Sequence, residues 1–337
     1  MPMPDPYEAL DRLMCLDLAG RGIGRLYDAA RTRLGTPLSR AAAECFSRVP
    51  PGSFVLIGTG WLTRGWVSTR LAENDGPPGA ATVARALWLA RDVTPVVVAE
   101  DSILAALAPV FRASGLSVLT LEEARRTRLP GGKTAAVVLE GFPTDDAEAG
   151  RAADRLLDDI QPALCFATER ASRARSGVYH NARGVDIGAG QARVDLLFEA
   201  AALRGIPTIG VGDGGNEIGM GLIADTVASS VRFGDRCACG CGSGVGASTA
   251  TDILVAANCG NWGCYAAVAA FAIAERDPRL LHTPEREDQL LRAATSAGLL
   301  NSPRGTVDPN VDDIPLSTHL AMVELMREVA VRAIAQG

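Results

Sequence analysis

The chain has 337 residues, of which 47% are hydrophobic, with a formal net charge of -6 and a pI near 5.3. That length can bury one large core or two modest ones, and the acidic balance leaves no broad basic surface for nucleic acid or an anionic membrane. This composition leaves a small molecule as the partner, which the motifs specify as an anionic metabolite, and association with further copies of the chain is left open. The opening MPMPDPYEALDRLM has acids where a leader peptide needs basic and then apolar residues, and no later apolar run would span a bilayer. The reading predicts a cytoplasmic protein whose eight cysteines are thiols.

In chain order, residues Pro6 to Leu34 and Leu38 to Phe46 read as helices, and FVLIG (Phe54 to Gly58) as a buried strand ended by glycine. Further apolar runs predict strands at Pro95 to Glu100, Leu116 to Leu121, Ala135 to Glu140, Ala163 to Thr168, Pro207 to Gly212 and Asp252 to Ala257. Helical stretches lie between most of them, at Ala80 to Ala90, Ser102 to Ala113, Asp145 to Asp159 and Ala192 to Leu203. Continuous apolar strands alternating with helices predict an α/β fold, a doubly wound and mostly parallel sheet with helices on both faces. It is taken as a single unit over 1–337, with coupled lobes 1–160 and 161–337 as the alternative. Ligands of such sheets sit beyond the carboxyl ends of the strands. That draws attention to Thr59, Glu100, Glu140, Glu169, Arg170, Asp213, Glu217, Asn258, Asn261 and Trp262, each just after a strand.

Two phosphate-loop suggestions fail on spacing. Gly58-Thr59-Gly60 lacks the third glycine of a dinucleotide turn, and GGKT at Gly131 to Thr134 precedes a strand and lacks the first glycine of a P-loop. CACGC, with Cys237, Cys239 and Cys241 at i, i+2, i+4, departs from the C-x-x-C zinc spacing, and in an extended strand its sulfurs would stand about 6.6 Å apart. Cys239→Ser is therefore expected to be silent. ENDGPPGA (Glu73 to Ala80) combines two acids with a pre-set turn before a helix N-terminus that offers amides to an anion. TERASRARSGVYHNARG (Thr168 to Gly184) places an acid and four arginines in one loop, as a carboxylate clamp would. GDGGNEIGMG (Gly212 to Gly221) follows a strand and holds five glycines. They let amides approach a ligand, and Asp213, Asn216 and Glu217 are its polar side chains.

Together with RGIGRLYDAAR (Arg21 to Arg31), NWGCY (Asn261 to Tyr265) and VDDIP (Val311 to Pro315), these segments resemble the D-glutamate cyclase family over nearly the whole chain. The chain departs from the family's pattern at Gly260, where serine is usual, at Asp313, where glycine is usual, and at Gly240, where an acid tends to follow the Ala-Cys pair. The resemblance implies a lyase that converts D-glutamate into 5-oxo-D-proline with loss of water. Ring closure needs a base for the amine and a group that neutralises the γ-carboxylate. Asp213 or Glu217 is the expected base, with Asn216 and Glu169 as further catalytic groups. Arg170 and Arg183 would hold the α-carboxylate, and Glu73, Asp75, Gly76, Asn181, Gly214, Gly215, Asn261 and Asp312 would complete substrate binding, the glycine amides steadying the oxyanion. The neutralising group is either a carboxylic acid or a bound cation, and Glu73, Asp75, Asp213 and Glu217 form an oxygen-rich set suited to Mg²⁺ or Mn²⁺. The same acids would serve a phosphatase-like, Mg/Mn-dependent hydrolase, which is the alternative activity. A non-catalytic metabolite sensor is a third class, disfavoured because Asp213 and Glu217 are both present.

Overall fold

The computed structural model describes residues 5–18 and 20–336. Three helices precede the sheet: α1 (Pro6–Met14), α2 (Ile23–Leu34) and α3 (Leu38–Arg48). The single helix expected from Pro6 to Leu34 is therefore broken. Gly20 and Gly22 adopt φ of 66° and 83°, a left-handed backbone that a helix cannot continue through. Asp11 of α1 fixes the third helix, its carboxylate accepting from the amides of Leu38 at 2.7 Å and Ser39 at 3.0 Å.

The rest alternates strand and helix: β1 (Phe54–Gly58), α4 (Pro77–Arg91), β2 (Thr94–Ala99), α5 (Asp101–Ala113), β3 (Ser117–Leu119), α6 (Leu121–Arg126), β4 (Ala136–Gly141), α7 (Asp146–Ile160), β5 (Cys165–Thr168), α8 (Val194–Leu203), β6 (Thr208–Gly212), α9 (Ala224–Ser230) and β7 (Ile253–Ala256). Then come α10 (Gly260–Glu275), α11 (Pro284–Ser296) and α12 (Leu316–Gln336). All seven strands lie parallel in one sheet of order β3-β4-β2-β1-β5-β6-β7. Along each strand alternate residues turn to opposite faces. Val55, Ile57, Val97, Phe166 and Val211 join the core under α3, α4 and α10, while Leu56, Val96, Val98 and Cys165 join the core under α7 and α8.

Helix α10 is buried from Gly260 to Ala272 and packs on α3, α4 and α12. Its apolar residues run all round the helix, so it carries no amphipathic period to betray it. The order in which strands are added reverses between β1 and β5, the neighbouring strands from which the sheet grows to either side. That switch point opens the crevice in which open α/β sheets hold ligands. None of the described helices is long and apolar enough to cross a membrane.

Candidate active site

The loops after β1, β5 and β6, with the segment before α12, bring acids together at that crevice, and the loop after β7 leads into α10, whose first amides meet Asp75. Asp75 lies 2% exposed after β1. Its carboxylate accepts from the backbone amides of Gly76 at 3.0 Å, Gly260 at 2.9 Å and Asn261 at 2.8 Å, the last two belonging to the first turn of α10. Asn261 returns the contact: its Oδ1 accepts from the amides of Gly76 at 3.1 Å and Gly79 at 2.8 Å at the start of α4. Each loop thus satisfies the free donors of the other's helix, and two positive helix ends meet at one place. Gly76 must be glycine here. It has φ of 97°, and a Cβ would press on Glu169 and on the Thr59 hydroxyl.

One oxygen from each of Asp75, Asp213 and Asp312, and one from each of Glu169, Asp213 and Glu217, lie within 4.8 Å of one another. Burial first, then the neighbouring carboxylates, push Glu73, Glu169 and Asp213 well above the ordinary carboxylate range. Burial and Asp312 push Asp75 up to about 7, against the pull of the α10 amides. Glu217 is raised by burial, while its oxygens accept from the amides of Gly214 at 2.9 Å and Gly215 at 2.8 Å. Glu217 therefore shapes the glycine loop, and those two amides are turned onto it.

Glu169 differs from the others. Its backbone sits at φ 43°, its side chain is buried, and its Oε1 has no hydrogen-bond partner. The side chain occupies the room that a Cβ at residue 260 would need, which gives a steric reason for Gly260 where the family usually has serine. Thr59 Oγ1 after β1 and both amide atoms of Asn258 after β7 are also buried without partners. Unpaired buried polar atoms are rare in folded proteins, and a ligand is one reason for them.

Arg21 is the residue that sequence reasoning missed. Its Nη1 lies 2.8 Å from Asp213 and 2.8 Å from Asp312, so Asp213 is not left without a side-chain partner as its glycine surroundings suggest. The segment Arg21 to Arg31 carried the family likeness, but nothing in it points to a partner 192 residues away. Arg21 is placed by Asp17, which accepts from the amides of Arg21 at 2.8 Å and Gly22 at 2.7 Å. It bridges Asp213 and Asp312 within the first acidic triad.

Three predicted binders stand elsewhere. Arg170 has a fully buried side chain committed to Glu100 by paired contacts of 2.5 and 2.8 Å, with further bonds to the carbonyls of Gly60 and Ala192. It buttresses the loops instead of facing the crevice. Asn181 caps its own turn by accepting from the amides of Arg183 and Val185, and Arg183 is exposed on that turn. Asn216 donates to the carbonyl of His180 at 2.6 Å.

The pattern of the family described as "D-glutamate cyclase-like, C-terminal" matches residues 10–327. The chain belongs to the D-glutamate cyclase-like family. A curated relative, the human protein named "D-glutamate cyclase, mitochondrial", is 28% identical over 346 aligned positions that take in 95% of this chain. They cover 51% of that relative, so the chain spans about half the length of the curated protein it matches. Every acid gathered at the crevice lies inside the matched region, as does Arg21.

Proposed function

We propose that the chain is a lyase that closes D-glutamate into 5-oxo-D-proline and water in the crevice between Glu169 and Asp213. The observation that carries this reading is the unequal pair itself. Glu169 is buried with an unpartnered oxygen and forms no ion pair among the described residues, whereas Asp213 has Arg21 at 2.8 Å. When two close carboxyls share a proton, it rests on the one without the cation, so Glu169 is the acid and Asp213 the base.

The reaction balances within this pair. The ammonium group of the substrate gives up two protons, its nitrogen bonds to the γ-carboxyl carbon, and one carboxylate oxygen departs carrying both protons as water. Asp213 takes one proton from the ammonium and passes it to the γ-carboxylate oxygen, while Glu169 gives the second proton to that departing oxygen and is recharged by the other proton the nitrogen loses. No net proton is consumed. Arg21 is placed to attract a substrate carboxylate, and holding the chain curled replaces part of the entropic barrier, on the order of 7 kcal/mol or more in the best cases. The hydrolase alternative gains nothing from the arrangement, because Arg21 already occupies the charge position between Asp213 and Asp312.

A direct assay decides the point. Incubation with D-glutamate should yield 5-oxoproline, with L-glutamate giving much less. A folded enzyme inert towards both enantiomers would sink the proposal.

A further inference from the structure

Residues 237–241 do not form the extended strand in which their sulfurs would stand apart. The segment bends, with the Cys237 amide donating to the carbonyl of Ser243 at 2.8 Å and Gly240 and Gly242 both at φ 81°. Those left-handed turns fold the three side chains inward. Cys237 Sγ lies 3.1 Å from Cys239 Sγ and 3.4 Å from Cys241 Sγ. A fourth group comes from another loop: His180 Nε2 lies 3.3 Å from Cys239 Sγ and 3.5 Å from Cys241 Sγ. The two loops are clamped by the Ala238 amide, which donates to the carbonyl of Gly184 at 3.0 Å. A Cβ on Gly184 would collide with that amide.

We propose that His180, Cys237, Cys239 and Cys241 hold one zinc ion that pins the CACGC segment to the loop after β5. Three sulfurs and an imidazole nitrogen are the donor set of a closed structural zinc site, and soft thiolates select zinc over the hard cations that carboxylates prefer. The spacing agrees. With bonds of about 2.3 Å to sulfur and 2.0 Å to nitrogen, a tetrahedral site has edges of about 3.5–3.8 Å, close to the separations here and well beyond the roughly 2.05 Å of a disulfide. All eight cysteines are free thiols. Cys239 is exposed and Cys241 partly so, which gives the ion an entry path, and binding displaces the thiol protons to solvent. The Ser176 hydroxyl, 3.2 Å from Cys241 Sγ, donates to a thiolate there and orients it. The site lies apart from the acids but is joined to them, because the carbonyl of His180 accepts from Asn216, the neighbour of Glu217. Zinc would therefore set the position of the glycine loop without touching substrate.

Elemental analysis of protein purified under reducing conditions without chelator should find about one zinc per chain. The Cys237→Ser/Cys241→Ser double variant should lose nearly all of it, and Asp213→Asn should keep it. Because the double variant can fail to fold, cobalt titration of the reduced, metal-stripped wild type supplies the second reading. A tetrahedral visible spectrum with a sulfur-to-cobalt charge-transfer band, displaced by equimolar zinc, is expected. Wild type that shows no such band, zinc retained by a folded double variant, or two of these cysteines found paired as a disulfide in protein purified under reducing conditions would each overturn the assignment.

Discussion

Two clusters of ligand-like side chains stand at the ends of the Asn216 bridge, and they are built in opposite ways. The acidic cluster is assembled from loops far apart in sequence, after β1, β5 and β6, with Asp312 and Arg21 added from near the two ends of the chain. It gathers hard oxygens that burial drives towards their neutral forms, with one arginine to offset them. The sulfur cluster comes from five consecutive residues and one histidine, close to the surface. The first arrangement holds protons at unusual pH and suits acid–base chemistry. The second has the donors of a structural metal site and nothing with which to turn over a substrate.

If that division is right, the largest effect belongs to Asp213→Asn. Asparagine keeps the size of the side chain but cannot take a proton at neutral pH, so formation of 5-oxoproline should fall by at least ~10²-fold. The melting curve should stay close to wild type. A variant that keeps its rate would remove Asp213 as base and hand the role to another member of the cluster.

Arg21→Ala should cost less in rate and more in the shape of the pH profile. The guanidinium is the group that opposes the upward push on Asp213. Removing it raises the Asp213 pKa further, so the acidic limb of kcat/KM should move to higher pH, with a rise in KM of about tenfold from the lost charge. Arg21→Lys should restore part of both. An unshifted limb would mean that Arg21 serves only to hold Asp312.

A smaller effect separates structural from chemical acids. Asp75 is raised from 3.8 to about 7 in the folded protein, so between those values the native state binds the proton and the unfolded chain does not. Its contribution to stability is complete below about pH 3.8 and is lost as pH rises to about 7. Wild type should therefore lose stability over that window more steeply than Asp75→Asn, which cannot titrate. At the low-pH end the variant should be less stable, by about 1 kcal/mol or somewhat more, because one carboxylate oxygen that accepts from the first turn of α10 becomes a donor, and the gap should close and then reverse as pH rises through the window. Parallel slopes in thermal melts from pH 4 to pH 8 would show that Asp75 stays ionised and is simply a cap.

The sheet could be read from the sequence because its strands are short apolar runs ended by glycine or a polar residue, as FVLIG and PTIGVG are. Glu169, Asp213 and Glu217 could be read because they follow those strands, and Asp75 and Asp312 because they sit in the segments ENDGPPGA and VDDIP. What escaped has physical causes. Helix α10 lacks periodicity because it is buried on all sides, and the left-handed glycines Gly20 and Gly22 flank Arg21 inside a stretch whose pattern is otherwise helical. Arg170 in a loop of arginines looks like a clamp, but its partner Glu100 lies 70 residues earlier. The cysteine spacing was judged on extended geometry, whereas Gly240 and Gly242 bend it, and the fourth donor, His180, belongs to a loop read for its arginines. Pairings across long separations and left-handed turns are the features that a one-dimensional pattern carries least.

The smallest expected effect concerns hard cations at the acidic cluster. Glu169, Asp213 and Glu217 place oxygens within 4.8 Å of one another, and such a set would suit Mg²⁺ or Mn²⁺. Yet both oxygens of Glu217 are turned onto loop amides, and Asp213 is paired with Arg21, so the charge a cation would supply is already provided. A chelator that prefers oxygen-bound cations, used gently enough to leave thiolate-bound zinc in place, should change the rate by less than about twofold. Zinc content measured on the same sample confirms that only one cluster was challenged. A larger loss that Mg²⁺ or Mn²⁺ restores would show that a cation, and not the Glu169 proton alone, neutralises the γ-carboxylate, and the contrast between a proton-holding cluster and a metal-holding one would then fail.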